Sequence, residues 1–166
     1  MASGKSTVGR LVARELGVPF VDTDALIVAR AGPMAEVFAR LGEAGFRNLE
    51  MEAIAAALEG PPGILSLGGG AVTHPPARAL LAERTVRVYL DVPLDALLAR
   101  LRRSATVRPV LGNGEPTPER VAELLRGREP FYREADIIVS GPRRSKHAFA
   151  REIAARITSH FSAGVV

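Results

Sequence analysis

Ala2-Ser3-Gly4-Lys5-Ser6-Thr7 stands at the N-terminus and carries the closing half, Gly-Lys-Ser, of the phosphate-binding loop GxxxxGK[ST]. In such a loop backbone N–H groups wrap phosphates, the lysine reaches the β/γ oxygens and the hydroxyl ligates Mg²⁺. The opening glycine falls ahead of Met1, as does the buried strand that feeds such a loop, so the chain is expected to start inside its own motif, with Met1 an internal methionine of a longer cellular protein. A plain helix start capped by Ser3 or Ser6 is the competing reading. The residues that follow favour the loop: Val8, Leu11, Val12 and Leu16 share one helical face, Gly17 stops the helix and Pro19 lies beyond it. A helix opening directly on the loop aims its N–H groups and positive dipole end at a bound phosphate.

Beyond that helix, Val18 to Asp22 is a short apolar run fit for a buried parallel strand. Asp22 and Asp24 stand at its C-terminal end, where ligands of open α/β sheets collect. Two apart on an extended strand, both carboxylates are expected to face one site, one for Mg²⁺ and the other to orient or deprotonate a hydroxyl. A helix cap at Thr23 or Asp24, with Asp22 exposed, is the alternative. Ile64-Leu65-Ser66-Leu67 reads as the next strand and runs into Gly68-Gly69-Gly70, where missing Cβ atoms let backbone approach a ligand. Helices are expected over 24–30, 34–41 and 45–58, with Arg47 either functional or solvated and paired with Glu50.

Further along, a helix is expected over 75–84, a strand over 86–90, helices over 94–103 and 117–128, a strand over 137–139 and a closing helix over 146–161. Phe149, Ile153, Ile157 and Phe161 give that last helix a core stripe. The stretch 104–118, rich in Gly and Pro, is long for a passive connection and suits a mobile lid in which Arg108 folds onto a phosphate chain.

At 166 residues the chain fits one domain, 1–166, and its +4 charge is almost all arginine, with Lys5 and Lys146 the only lysines. Scattered arginines and few aromatics favour small phosphate and carboxylate ligands over nucleic acid. No cysteine is present, which excludes disulfides and Cys-based metal sites. No apolar run approaches the roughly 18 residues of a membrane span, so a cytoplasmic, monomeric protein without membrane partners is expected. His74, His147 and His160 lack metal-ligand spacing and read as surface or satisfied residues.

The motifs SGKSTVGRLVA, FVDTDALI, GFRNLE, LSLGGGAV, TVRPVL and EPFYREAD, in this order over nearly the whole chain, resemble the shikimate kinase family of P-loop proteins. The resemblance implies a three-layer α/β fold, a parallel sheet of order 2-3-1-4-5 with helices on both faces. Its first, central strand is the one missing here. It implies transfer of the ATP γ-phosphoryl to the 3-hydroxyl of shikimate with Mg²⁺. Ser3, Gly4, Lys5, Ser6 and Thr7 would line the ATP phosphates, with Lys5 at the β/γ oxygens. Ser6 would ligate Mg²⁺ and Asp22 support it through water. Asp24 would bind ring hydroxyls and serve as base, with 24–58 as the substrate-binding helical region. Arg47 and Arg133 would hold the carboxylate, and Gly68, Gly69 and Gly70 would offer backbone to the substrate. Arg108 would swing onto ATP, with Arg144 and Arg103 beside the adenine. Kinases of gluconate or of nucleoside monophosphates, and a non-catalytic ligand-binding relative, are the alternatives.

Overall fold

The computed structural model describes residues 2–103, 117–141 and 145–163. Short apolar runs alternate with helices, and the strands they form pair in parallel, as crossovers of helical length require. Strand β1 (Phe20–Asp22) lies beside β2 (Ile64–Ser66), with Phe20 opposite Ile64 and Asp22 opposite Ser66. Strand β3 (Val88–Asp91) lies beside β4 (Ile137–Ser140), with Asp91 opposite Ser140. Every strand therefore ends on a polar side chain at the C-terminal edge, the edge where open α/β sheets bind ligands.

The helices are α1 (Lys5–Leu16), α2 (Thr23–Ala31), α3 (Met34–Leu58), α4 (Pro75–Arg84), α5 (Leu94–Arg102), α6 (Pro118–Tyr132) and α7 (Lys146–Ala163). Val8, Val12 and Ala13 of α1 are buried, and α1 meets α7, whose Phe149, Ala150, Ile153 and Ala154 form one cluster with Val8, Val12, Ile137 and Val139. A second cluster, Ile27, Val37, Phe46 and Ala53, joins α2 to α3. A third joins α3 to α4 through Ile54, Ala71, Ala77 and Leu81.

Among the described residues the strands form two separate two-stranded sheets rather than one. A cavity of about 950 Å³ is lined from both, by Val21 and Leu65 on one side and Val88 and Leu90 on the other. Phe161, expected in the core stripe of α7, is 61% exposed and lines this same cavity, so the stripe outruns the core by one turn.

Two helices differ most from expectation. The two helices expected over 34–41 and 45–58 run as one element broken at Gly42, whose φ of 64° and ψ of −174° no helix accommodates and a side chain would resist. Helix α6 runs past 128 and through Pro130 to Tyr132. Pro130 has no N–H to give back to the preceding turn, yet the Arg133 N–H still closes on the Glu129 carbonyl at 2.9 Å. The expected lid over 104–118 lies outside the described residues except for its last two, Thr117 and Pro118, which open α6: the Thr117 hydroxyl accepts from the Arg120 N–H at 3.2 Å.

Candidate active site

Helix α1 opens on Gly4, at φ 91° and ψ 20°, and no side chain caps it. Neither Ser3 nor Ser6 plays the capping role, and the first turn keeps the geometry of an anion-binding helix start. From α5, Arg100 Nη1 donates to the Ser3 carbonyl at 2.8 Å and to the Ala2 carbonyl at 3.3 Å, tying down the entry to that turn. No sequence signal distinguished Arg100 from its arginine neighbours.

At the strand edge the expectation that Asp22 and Asp24 share one extended face fails. Asp22 is the N-cap of α2: its Oδ1 accepts from the N–H groups of Asp24 (3.1 Å) and Ala25 (3.3 Å), so the chain turns helical at Thr23 and Asp24 sits in the first helical turn. The cap falls on Asp22, not on Thr23 or Asp24. Thr23, fully buried, has another task. Its Oγ1 donates to the Ser66 carbonyl at 3.3 Å and accepts from the Gly68 N–H at 3.2 Å, locking the end of β1 to the end of β2 and to the glycine turn. The Ser6 and Ser66 hydroxyls lie 3.3 Å apart. Loop, strand ends and glycine turn are thus one connected cluster.

Onto that turn converge the acids and arginines of three helices. A Cβ at Gly68 would collide with Glu50 Oε1 and crowd Asp24 Oδ1, and one at Gly70 would collide with the Arg47 guanidinium. Arg47 is buried, not solvated, but it does pair with Glu50: Nη1 donates to Oε2 at 2.7 Å, while Nη2 reaches Glu43 Oε1 at 3.2 Å. Glu50 is only 1% exposed, and its Oε1 has no hydrogen-bond partner among the described residues. Burial pushes its carboxyl above the ordinary value, against the pull of Arg47.

The second arginine at this turn is not the expected one. Arg128, 9% exposed, lies close enough to Tyr132 and Glu50 for its charge to act on both. The Tyr132 hydroxyl in turn donates to the Gly69 carbonyl at 2.5 Å. Arg133 is drawn elsewhere: it pairs with Glu129 at 2.9 Å and with Asp91 at 3.2 Å, and its guanidinium lies over the Tyr89 ring. Its side chain is 47% exposed, whereas that of Arg47 is 10% exposed. Arg128 flanks the same Pro-Phe-Tyr run in the sequence, and the one signal that separates the two is helical phase, which puts Arg128 one turn from Tyr132.

Ser3, Lys5, Gly68 and Gly69 all line the large cavity. Arg103 is the exposed C-cap of α5. Arg108 and Arg144 lie outside the described residues. His74 departs from expectation in that its Nδ1 is buried with no hydrogen-bond partner among the described residues.

A glycine-capped helix start bearing Lys5 and Ser6, set at the C-terminal edge of parallel strands beside a cluster of acids and arginines, defines a phosphate-binding-loop kinase. Among such kinases, the family model for shikimate kinase matches residues 1–160, and the chain belongs to that family. It is 48% identical over 157 residues to the shikimate kinase of Mycobacterium avium, covering 93% of this chain and 88% of that protein. The structure resembles that of the Acinetobacter baumannii shikimate kinase in complex with shikimate, with a TM-score of 0.89 at 34% identity, covering 96% and 89% of the two chains. It also resembles the Bacteroides thetaiotaomicron shikimate kinase, with a TM-score of 0.86 at 31% identity, covering 95% and 94%.

Proposed function

We propose that this protein transfers the γ-phosphoryl of ATP to the 3-hydroxyl of shikimate, giving shikimate 3-phosphate. The observation that carries this reading is the convergence of Asp24, Arg47 and Glu50 on the Gly68–Gly70 turn, which Thr23 and Ser66 link to Ser6 of the phosphate loop. An acceptor held at the turn lies next to a donor phosphate held at the start of α1, and phosphoryl transfer asks for little beyond such alignment and charge.

Lys5 and the first-turn N–H groups of α1 take the β/γ phosphates, with Ser3, Gly4 and Thr7 around them. Ser6 and Asp22 fit Mg²⁺: both are oxygen donors, Asp22 is register-paired with Ser66, and the Ser66 hydroxyl lies 3.3 Å from that of Ser6. Among the described residues no group of three or more acidic or His side chains forms a cage, which suits an ion that keeps waters and phosphate oxygens as its other ligands. When bound, Mg²⁺ neutralises charge on the phosphates. Asp24 orients the acceptor hydroxyl and receives its proton. Arg47 grips the substrate carboxylate with its planar fork, and Arg128 takes the place first given to Arg133, on the strength of its burial beside Glu50 and Tyr132. Arg108, Arg144 and Arg103 keep their ATP-facing roles on the family resemblance alone.

The same reading assigns the two sheets to one parallel sheet of order 2-3-1-4-5, in which β1 and β2 are the second and third strands and β3 and β4 the fourth and fifth. The cavity lined by Val21, Leu65, Val88 and Leu90 is then the slot for the central strand. A chain extended ahead of Met1 by a short apolar run and a glycine is expected to melt higher and bind Mg-ATP more tightly, and an unchanged melt would refute the slot.

The deciding assay is coupled ADP release with shikimate, gluconate and AMP side by side. Turnover with gluconate but not shikimate overturns the assignment. Calorimetric binding of shikimate without turnover moves the protein to a non-catalytic relative.

A further inference from the structure

Tyr132 is 63 residues from Gly69 in sequence, yet its hydroxyl donates to the Gly69 carbonyl at 2.5 Å. Arg128, one helical turn before it on α6, lies close enough for its charge to act on this phenol. Its ring stacks on that of Tyr89 from β3, with centroids 5.1 Å apart and planes 24° apart, so the hydroxyl has little freedom to leave. A phenol offers one donor, and here that donor is committed to the glycine turn.

The consequence follows from the planarity of the peptide unit. The Gly69 carbonyl and the Gly70 N–H belong to one trans plane and point in opposite directions. Fixing the carbonyl toward Tyr132 therefore fixes the Gly70 N–H away from it. Glycines cannot hold such an orientation by themselves, because without Cβ atoms the plane is free to rotate. The Ala71 N–H to Gly68 carbonyl bond at 3.2 Å spans the Gly69–Gly70 plane as a β-turn, whose central peptide can still flip, and the Thr73 N–H to Gly70 carbonyl bond at 3.0 Å closes the chain beyond it.

We infer that Tyr132 is a positioning residue of the acceptor site: its hydroxyl sets the tilt of the Gly69–Gly70 peptide. This rests on the function proposed above. Tyr132 makes no contact of its own with the reacting atoms and acts through the peptide it holds.

Tyr132→Phe removes the hydroxyl and keeps the stacking ring. The KM for shikimate is expected to rise about tenfold, the scale of one lost hydrogen bond, with the KM for ATP and the melting temperature little changed. Hydrogen exchange of the folded, ligand-free variant is expected to quicken in the 68–73 segment alone. An unchanged KM for shikimate, or equal rises in both KM values with general loosening, overturns the inference. If the parent protein turns over no shikimate, the proposed function falls, and the exchange measurement still decides whether Tyr132 holds the turn.

Discussion

Arg47 and Glu50 form an ion pair of 2.7 Å inside one helix, with side chains only 10% and 2% exposed. The pair is asymmetric, for Arg47 has a second carboxylate in Glu43, whereas Glu50 Oε1 has no hydrogen-bond partner among the described residues. Removing the arginine therefore strands a buried carboxylate. Arg47→Ala is expected to cost about 3 kcal/mol of stability at neutral pH. Glu50 has a folded pKa raised above the ordinary value of 4.5, so the stability linked to its neutral form is fully present below that value and lost as pH rises through the folded one. The penalty in Arg47→Ala must then shrink in acid, where Glu50 is protonated. Denaturant unfolding of parent and variant at neutral pH and below 4.5 checks the sign, and a penalty that grows in acid would be evidence against the stranded charge.

Gly70 is where the glycine turn and the arginine compete for space. A methyl group there has no room beside the Arg47 guanidinium, the far end of a flexible side chain, so the arginine yields and the backbone stays. Gly70→Ala is accordingly expected to raise the KM for shikimate about tenfold or more and to lower the melting temperature less than Arg47→Ala does, since a displaced guanidinium loses its bidentate grip while its charge stays near Glu50. Gly68→Ala is the harsher change because its methyl meets both Glu50 and Asp24, and it is expected to lower kcat as well.

Arg128 and Arg133 separate two readings of one motif. Both flank Pro130-Phe131-Tyr132, and nothing in their spacing from one another says which turns inward. The structure places Arg128 at 9% exposure near Glu50 and gives Arg133 to Asp91 and Glu129. Steady-state kinetics on the two alanine variants is expected to show a loss of kcat/KM for shikimate of about a hundredfold in Arg128→Ala, the scale of a lost charge-assisted pair, and about twofold or less in Arg133→Ala. The reverse ranking would return the carboxylate to Arg133.

What could be read in advance divides along physical lines. The alternation of short apolar runs with amphipathic helices was legible because strand and helix periods are local properties, and each described helix and strand stands within a few residues of where periodicity put it. The roles of Asp22 and Asp24 were misjudged in geometry because a cap depends on where a helix nucleates, and Asp22, by taking the Asp24 and Ala25 N–H groups, moved that point one residue into the motif. Glu50 was named as the partner of Arg47, but its burial was not, and the roles of Thr23, Arg100 and Tyr132 escaped notice for a different reason. Each acts across a sequence separation or through burial, and a threonine or tyrosine in isolation carries no sign of the backbone carbonyl it will meet.

Tyr89 and Tyr132 are the only tyrosines of the chain, and both phenols are held above their ordinary value of 10.0. Burial is the main cause in each case, and for Tyr89, pushed up to about 12, the Asp91 carboxylate adds to it. A raised phenol favours the neutral form in the fold, so its stabilising contribution is complete below about pH 10 and is lost as pH climbs through the folded values. Alkaline titration of tyrosinate absorbance is therefore expected to show little ionisation in the native protein near pH 10, where the denatured chain is half ionised. The native curve must rise above 10, for Tyr89 only toward about 12, or with unfolding. Tyr132→Phe is expected to halve the amplitude and leave the Tyr89 midpoint high, because Asp91 and the burial of Tyr89 on β3 do not depend on the missing hydroxyl. A native titration that begins near 10 would mean that the stacked pair is open to water, and the hold of Tyr132 on the Gly69 carbonyl would go with it.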